Sequence, residues 1–114
     1  MKRTAFKPSD RPKKRYVVFK IEGEKISDIE QIWLKIKKTV LCYTGELGLK
    51  SSNLKMIREQ WKPDLQKGVI RVSHTHVSYL KEALNKIENI NNEKIKITTV
   101  GTSGILKKAE QYIN

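Results

Sequence analysis

KGVIRVSHTH, residues Lys67 to His76, alternates in a way that constrains the rest of the chain. Gly68 closes a polar connection opened by Pro63 and Asp64. Ile70, Val72 and His74 then share one side of an extended strand, while Arg71 and Ser73 point to the other. In the middle of an antiparallel sheet, such a strand takes helices on its Ile70/Val72 side and leaves the Arg71 side open. An open, positively charged sheet face suits an anionic partner.

The chain has 114 residues, with 24 Lys and Arg against 12 Asp and Glu, a formal charge of +12. That length is one domain's worth, enough to bury roughly two-thirds of the surface of the unfolded chain. The charge makes a polyanion the first partner to consider, nucleic acid ahead of an anionic membrane surface. Cys42 is the single cysteine, which excludes an internal disulfide and a thiol metal cluster within one chain. No apolar run reaches the roughly 18 residues of a membrane span, and YVVF, Tyr16 to Phe19, is too short for a signal-peptide core. The expected setting is the cytoplasm.

Working outward, residues 1–15 carry seven Lys or Arg against Asp10 alone, half of the formal charge. Pro8 and Pro12 discourage helix, so 1–15 is expected to be a flexible basic arm and 16–114 a single folded domain. Tyr16 to Glu22 alternates Val17, Phe19 and Ile21 against Tyr16, Val18 and Lys20, a first strand. Ser27 with Glu30 has the spacing of a capping box, and Ile29, Ile32, Trp33, Ile36 and Val40 form the buried stripe of a first helix. That helix is expected to end near Gly45 or Gly48. The apolar run from Leu41 to Leu49, with Tyr43 and Leu47, is expected to tuck under the sheet edge, the alternative being a contact surface for another protein.

Leu54 to Trp61 reads as a second strand. Thr75 is placed to cap a second helix whose stripe is Val77, Leu80, Ala83, Leu84 and Ile87. Asn91 and Asn92 turn the chain into a last strand, Glu93 to Val100, with Lys94 and Lys96 outward. Gly101 to Gly104, GTSG, then leads to a short helix with Leu106, Ala109 and Ile113 inward. The order β-α-β-β-α-β predicts an α+β, ferredoxin-like two-layer sandwich of four antiparallel strands with an extra C-terminal helix. Its helix-free face would show Tyr16, Lys20, Arg58, Arg71, Lys96 and Thr98.

Catalytic constellations are scarce. His74 and His76 lack a third metal ligand, and His74 reads as a core-edge residue. Cys42 has no base beside it and reads as a buried, inert thiol. GTSG lacks the spacing of a phosphate-binding nucleotide loop, yet two glycines and two hydroxyls before a helix could hold one phosphate, with Lys107 and Lys108 a turn away. Against the RNA-recognition octapeptide, Lys67, Gly68 and Val72 match, but Val69, Arg71 and His74 replace the three aromatics. Recognition of a folded RNA by charge and shape is expected in place of single-strand base stacking. No catalytic residue and no bound cofactor are expected in this chain.

Four stretches, KKRYVVF, GELG, GVIRVSH and GTSGILKKA, in this order and spacing, resemble the archaeal ribonuclease P protein component 2 family over almost the whole chain. The resemblance implies a subunit of the ribonucleoprotein that removes 5′ leaders from precursor tRNA. In that family the RNA subunit cleaves the phosphodiester with magnesium, and the protein supports the catalytic RNA together with protein component 3. A heterotetramer around a pair of component 2 chains is part of the same picture, and Leu41, Tyr43, Leu47 and Leu49 would serve such protein contacts. Carried over by position, Arg11, Lys13, Lys14, Arg15, Arg71, Gly101, Ser103 and Gly104 are candidate RNA contacts, beside Arg58, Lys96, Lys107 and Lys108 from the face and charge reading. A ribosomal or other structural RNA-binding protein of the same fold is the alternative. A ligand-sensing module would call for a less charged face, and an enzyme acting alone would have to cleave precursor tRNA without RNA.

Overall fold

The computed structural model describes residues 13–113, so Arg11 and positions 1–12 of the expected arm lie outside the described residues. Its elements are β1 (Lys14–Gly23), α1 (Ile29–Ser52), β2 (Lys55–Met56), β3 (Lys67–Ser73), α2 (Val77–Lys86), β4 (Asn89–Ile90), β5 (Glu93–Ser103) and α3 (Leu106–Ala109). Short 3₁₀ turns at Arg58–Gln60, His74–His76 and Glu110–Tyr112 follow β2, β3 and α3. Lys14 and Arg15 thus belong to β1, not to an arm.

The sheet is antiparallel throughout in the order β2-β3-β1-β5-β4. This is the ferredoxin-like arrangement with one strand more than expected. β4 is the addition. Asn91 and Asn92 both adopt positive φ, 51° and 69°, which closes a two-residue hairpin of matching twist between Ile90 and Glu93. The second strand is shorter than the sequence suggests, because Met56 and Ile57 are both buried, one in each of the two apolar clusters. A segment buried on both sides does not alternate, and the polar Arg58-Glu59-Gln60 that follows turns out of the sheet.

α1 and α2 cover one face. Val17, Phe19, Ile21, Ile70, Val72, Ile95 and Ile97 from the strands meet Ile32, Trp33, Ile36 and Val40 of α1 and Leu80, Ala83 and Leu84 of α2. Both stripes are those read from the sequence. The caps differ: Asp28, not Ser27, accepts the Glu30 N–H (2.9 Å), and His76, not Thr75, is the cap residue of α2.

α1 does not stop at the glycines. Gly45 breaks its regular dihedrals (φ 76°, ψ 177°), a left-handed conformation that glycine adopts at little cost, and helix then resumes to Ser52. Beyond Val40 no residue is buried until Ser52, so the second half of α1 overshoots the core. The expectation that Leu41–Leu49 tucks under the sheet is therefore corrected. Leu41, Tyr43 and Leu47 are exposed, Leu47 to 82%, and Leu49 alone packs partly on the core. Cys42 is exposed, and His74 is exposed as well.

The far face of the sheet is not open throughout. Ala109 and Ile113 close over Val18, Ile57 and Val69, with Tyr16, Leu106 and Tyr112 packed around them. Tyr112 lies directly on Gly101, where a Cβ would sit 2.7 Å from the ring atoms. The Gln60 amide donates to Glu110 Oε2 (2.8 Å) and Lys67 Nζ to the Tyr112 carbonyl (3.2 Å), pinning the C-terminal turn from both sides.

Candidate nucleic-acid interface

Register places the polar residues of the far face in rows. Lys55 pairs with Arg71, Arg71 with Tyr16, and Tyr16 with Ser103, so four strands contribute one residue each to a line across the sheet. At about 4.8 Å between strands this line spans roughly 15 Å. Lys14 and Ser73 pair immediately beyond it. Next comes the Val18, Val69 and Gly101 row, which lies under the C-terminal helix. On its other side Lys67, Lys20 and Thr98 pair in turn, Lys62 bridges to Lys67, and Glu22 pairs with Lys96. The C-terminal helix thus divides the face into two cationic bands.

Among the described residues, the paired positions of the band containing Arg71 are Lys14, Lys55, Arg71, Tyr16, Ser103 and the buried Ser73, none of them a carboxylate. The other contains Glu22 opposite Lys96 and commits Lys67 to a helix carbonyl. The first band is the stronger anion surface.

The remaining candidates fall in different places. Arg58 is not on this face. It stands in the 3₁₀ turn after β2 and donates through Nε and Nη2 to both carboxylate oxygens of Glu30 in α1. That hydrogen bonding holds the Glu30 carboxyl below its usual range and raises the Arg58 guanidinium above its own. Arg15 faces the helix side of the sheet end, where Nη1 donates to the Lys14 carbonyl (3.0 Å) and lies beside Gly104, 3.4 Å from where a Cβ would be. Lys13 is exposed, as are Lys107 and Lys108 on α3.

Most of the GTSG segment is strand. Gly101 and Ser103 belong to β5, Gly101 is roofed by Tyr112, and the Ser103 hydroxyl accepts the Ile105 N–H (3.1 Å). The glycine requirement at Gly101 is a packing requirement. Lys55 and Lys62 escaped the sequence reading, because their place on the face follows from pairing with Arg71 and Lys67, which a two-residue strand and an isolated bridge do not announce. Among the described residues, no group of three His, Cys, Asp or Glu is arranged to hold a metal ion, and no helix is long and apolar enough to cross a membrane.

A basic ferredoxin-like sheet with a helix strapped across its far face presents a surface suited to an anionic partner. The model of the Rpp14/Pop5 family matches residues 15–114, and the chain belongs to that family. Its relatives include proteins named ribonuclease P protein component 2. That of Thermococcus kodakarensis is 31% identical over 91% of this chain and 85% of its own length. That of Methanocaldococcus jannaschii is 33% identical over 90% of this chain and 74% of its own length. A chain of yeast ribonuclease MRP superposes with a TM-score of 0.63 at 11% identity, covering 91% of this chain and 79% of that one, which shows the fold.

Proposed function

We propose that this chain is a protein subunit of a ribonuclease P and that it holds the catalytic RNA on the band formed by Lys55, Arg71, Tyr16, Ser103 and Lys14. The observation that carries the reading is this carboxylate-free row on a chain whose relatives are named as ribonuclease P components. The RNA subunit breaks the phosphodiester of precursor tRNA and uses magnesium to do so, while the protein neutralises phosphates that would otherwise repel one another in the folded RNA. The segment before β1 adds cations to the same task. Lys107 and Lys108, exposed on α3, add to the positive charge, and Lys96 serves the weaker band.

The apolar second half of α1, with Leu41, Tyr43 and Leu47, contacts protein: component 3 and a second copy of this chain. The assembly works in the cytoplasm. Reconstitution tests the whole reading. The catalytic RNA and component 3 are mixed with and without this chain, and precursor-tRNA cleavage is followed at low magnesium. Faster cleavage with the chain present is the expected result. An unchanged rate, or cleavage by the chain free of RNA, would sink it.

A further inference from the structure

The histidine motif after β3 has no part in the row just described, yet it is built into the same end of the sheet. Ser73, buried, meets the Thr75 hydroxyl at 3.2 Å, and Thr75 Oγ1 meets His76 Nδ1 at 2.8 Å. This hydroxyl pair fixes the imidazole. One helical turn on, Tyr79 packs its ring against His76, with centroids 5.6 Å apart at 48°. Tyr79 keeps 48% of its surface exposed and joins neither apolar cluster. A half-exposed aromatic pair is not core.

Two cations lie at the same end of the sheet. The His74 N–H donates to the Lys13 carbonyl (2.8 Å), and Lys14 pairs with Ser73. Lys13 and Lys14 therefore lie at this end of the sheet, and both are exposed. Lys14, Ser73 and Arg71 lie on the far face of the sheet and α2 covers the other, so the corner sits at the end of the sheet where the two faces meet. The nearest acid on α2 is Glu82, one turn beyond Tyr79.

We propose that Tyr79 and His76, with Lys13 and Lys14, form a docking corner for one unpaired nucleotide. The base stacks on the Tyr79 ring against His76, and its phosphate meets the lysines. An aromatic face accepts any base at little geometric cost, and an adjacent ammonium supplies the charge that the phosphate needs. The RNA-recognition aromatics missing from the sheet centre thus have a counterpart at the sheet end, where the C-terminal helix does not intrude. This inference rests on the RNA-binding reading above and adds to it a specific ligand, a single-stranded nucleotide.

The test uses the full chain, with fluorescein-labelled decauridylate as the single-stranded probe and a fully paired RNA duplex as the control, at one fixed salt concentration. Tyr79→Ala is expected to weaken decauridylate binding roughly 5- to 50-fold while changing duplex binding less than about twofold. Tyr79→Phe, which keeps the ring, is expected to bind like the parent, and His76→Ala to weaken the single-stranded probe in the same direction as Tyr79→Ala. Equal losses on both probes, or none on either, would overturn the stacking site. If the parent bound the duplex and not decauridylate, the corner would fall and the RNA reading would stand. If it bound neither, both would fall.

Discussion

Arg58 donates to both carboxylate oxygens of Glu30, tying the turn after β2 to the first turn of α1. A guanidinium held in a two-point pair is poorly placed to meet a phosphate as well, since its fork is already matched to a carboxylate. Arg58→Ala is expected to leave RNA affinity within about twofold of the parent, in contrast to Arg71→Ala. The pair also has a pH signature. The folded-state carboxyl of Glu30 lies below its usual range, so its contribution to stability is present above the unfolded value and is lost as pH falls through the folded one. Urea midpoints of parent and Glu30→Gln should therefore differ near neutrality and converge as the pH drops below about 4. A gap that stayed constant into acid would show that the pair contributes nothing through charge.

Salt dependence separates the row from the arm. If about six cations neutralise phosphates, the log-log salt slope of RNA binding should lie near −4 to −5, a loss of several hundredfold between about 50 and 200 mM salt. Arg71→Ala and Lys55→Ala should each flatten the slope by roughly one unit. Deleting residues 1–12, which removes Lys2, Arg3, Lys7 and Arg11 and leaves β1 whole, should flatten it further. Filter binding or anisotropy across a salt series measures all three. An unchanged slope after the deletion would make the segment a solubility tail.

These contrasts show what the sequence makes legible. Alternation in Tyr16–Glu22, Lys67–Ser73 and Glu93–Thr99 and the stripes of α1 and α2 are local patterns with one physical reading, and they yield the ferredoxin-like order. Arg71 is legible for the same reason. The far face is not, because what covers it is decided by residues forty or more positions apart: Ala109 and Ile113 read as a short amphipathic helix, but only the Val18, Val69 and Ile57 surface says where they land. The fate of Arg58 depends on Glu30, 28 residues away in sequence. Exposure of Leu41 to Leu47 is illegible because apolar periodicity is the same whether a helix lies on a core or runs past its end.

Gly101 carries the C-terminal strap. A Cβ there would lie 2.7 Å from ring atoms of Tyr112, and a rigid ring yields only if the turn lifts from the sheet. Gly101→Ala is expected to destabilise the protein by about 1–3 kcal/mol, the range for overpacking. Tyr112→Ala should destabilise by itself through lost burial, and the double variant should cost less than the two singles added, because the alanine methyl then enters the vacated space. Denaturant unfolding of the four proteins provides the test. Strict additivity would mean that Tyr112 does not rest on Gly101.

The exposed half of α1 offers a surface whose state can be read from Cys42, which sits between Leu41 and Tyr43 in the overshooting helix. In the isolated native chain this thiol should react with a chromogenic disulfide reagent to completion without denaturant, since it is not shielded by the core. Mixed with component 3, or concentrated enough for a second copy to bind, it should react more slowly if the ridge of Leu41, Tyr43 and Leu47 is the contact. Leu47→Glu then distinguishes protection by a partner from protection by folding. At 82% exposure the substitution should change stability by no more than about 0.5 kcal/mol, yet a buried charge at an apolar contact should weaken association and restore the fast thiol reaction in the mixture. Salt slopes with RNA should be the same for Leu47→Glu and its parent, because the ridge lies off the cationic row. A variant that lost RNA binding and protein association together would place both partners on one surface and contradict the division of labour between sheet and helix.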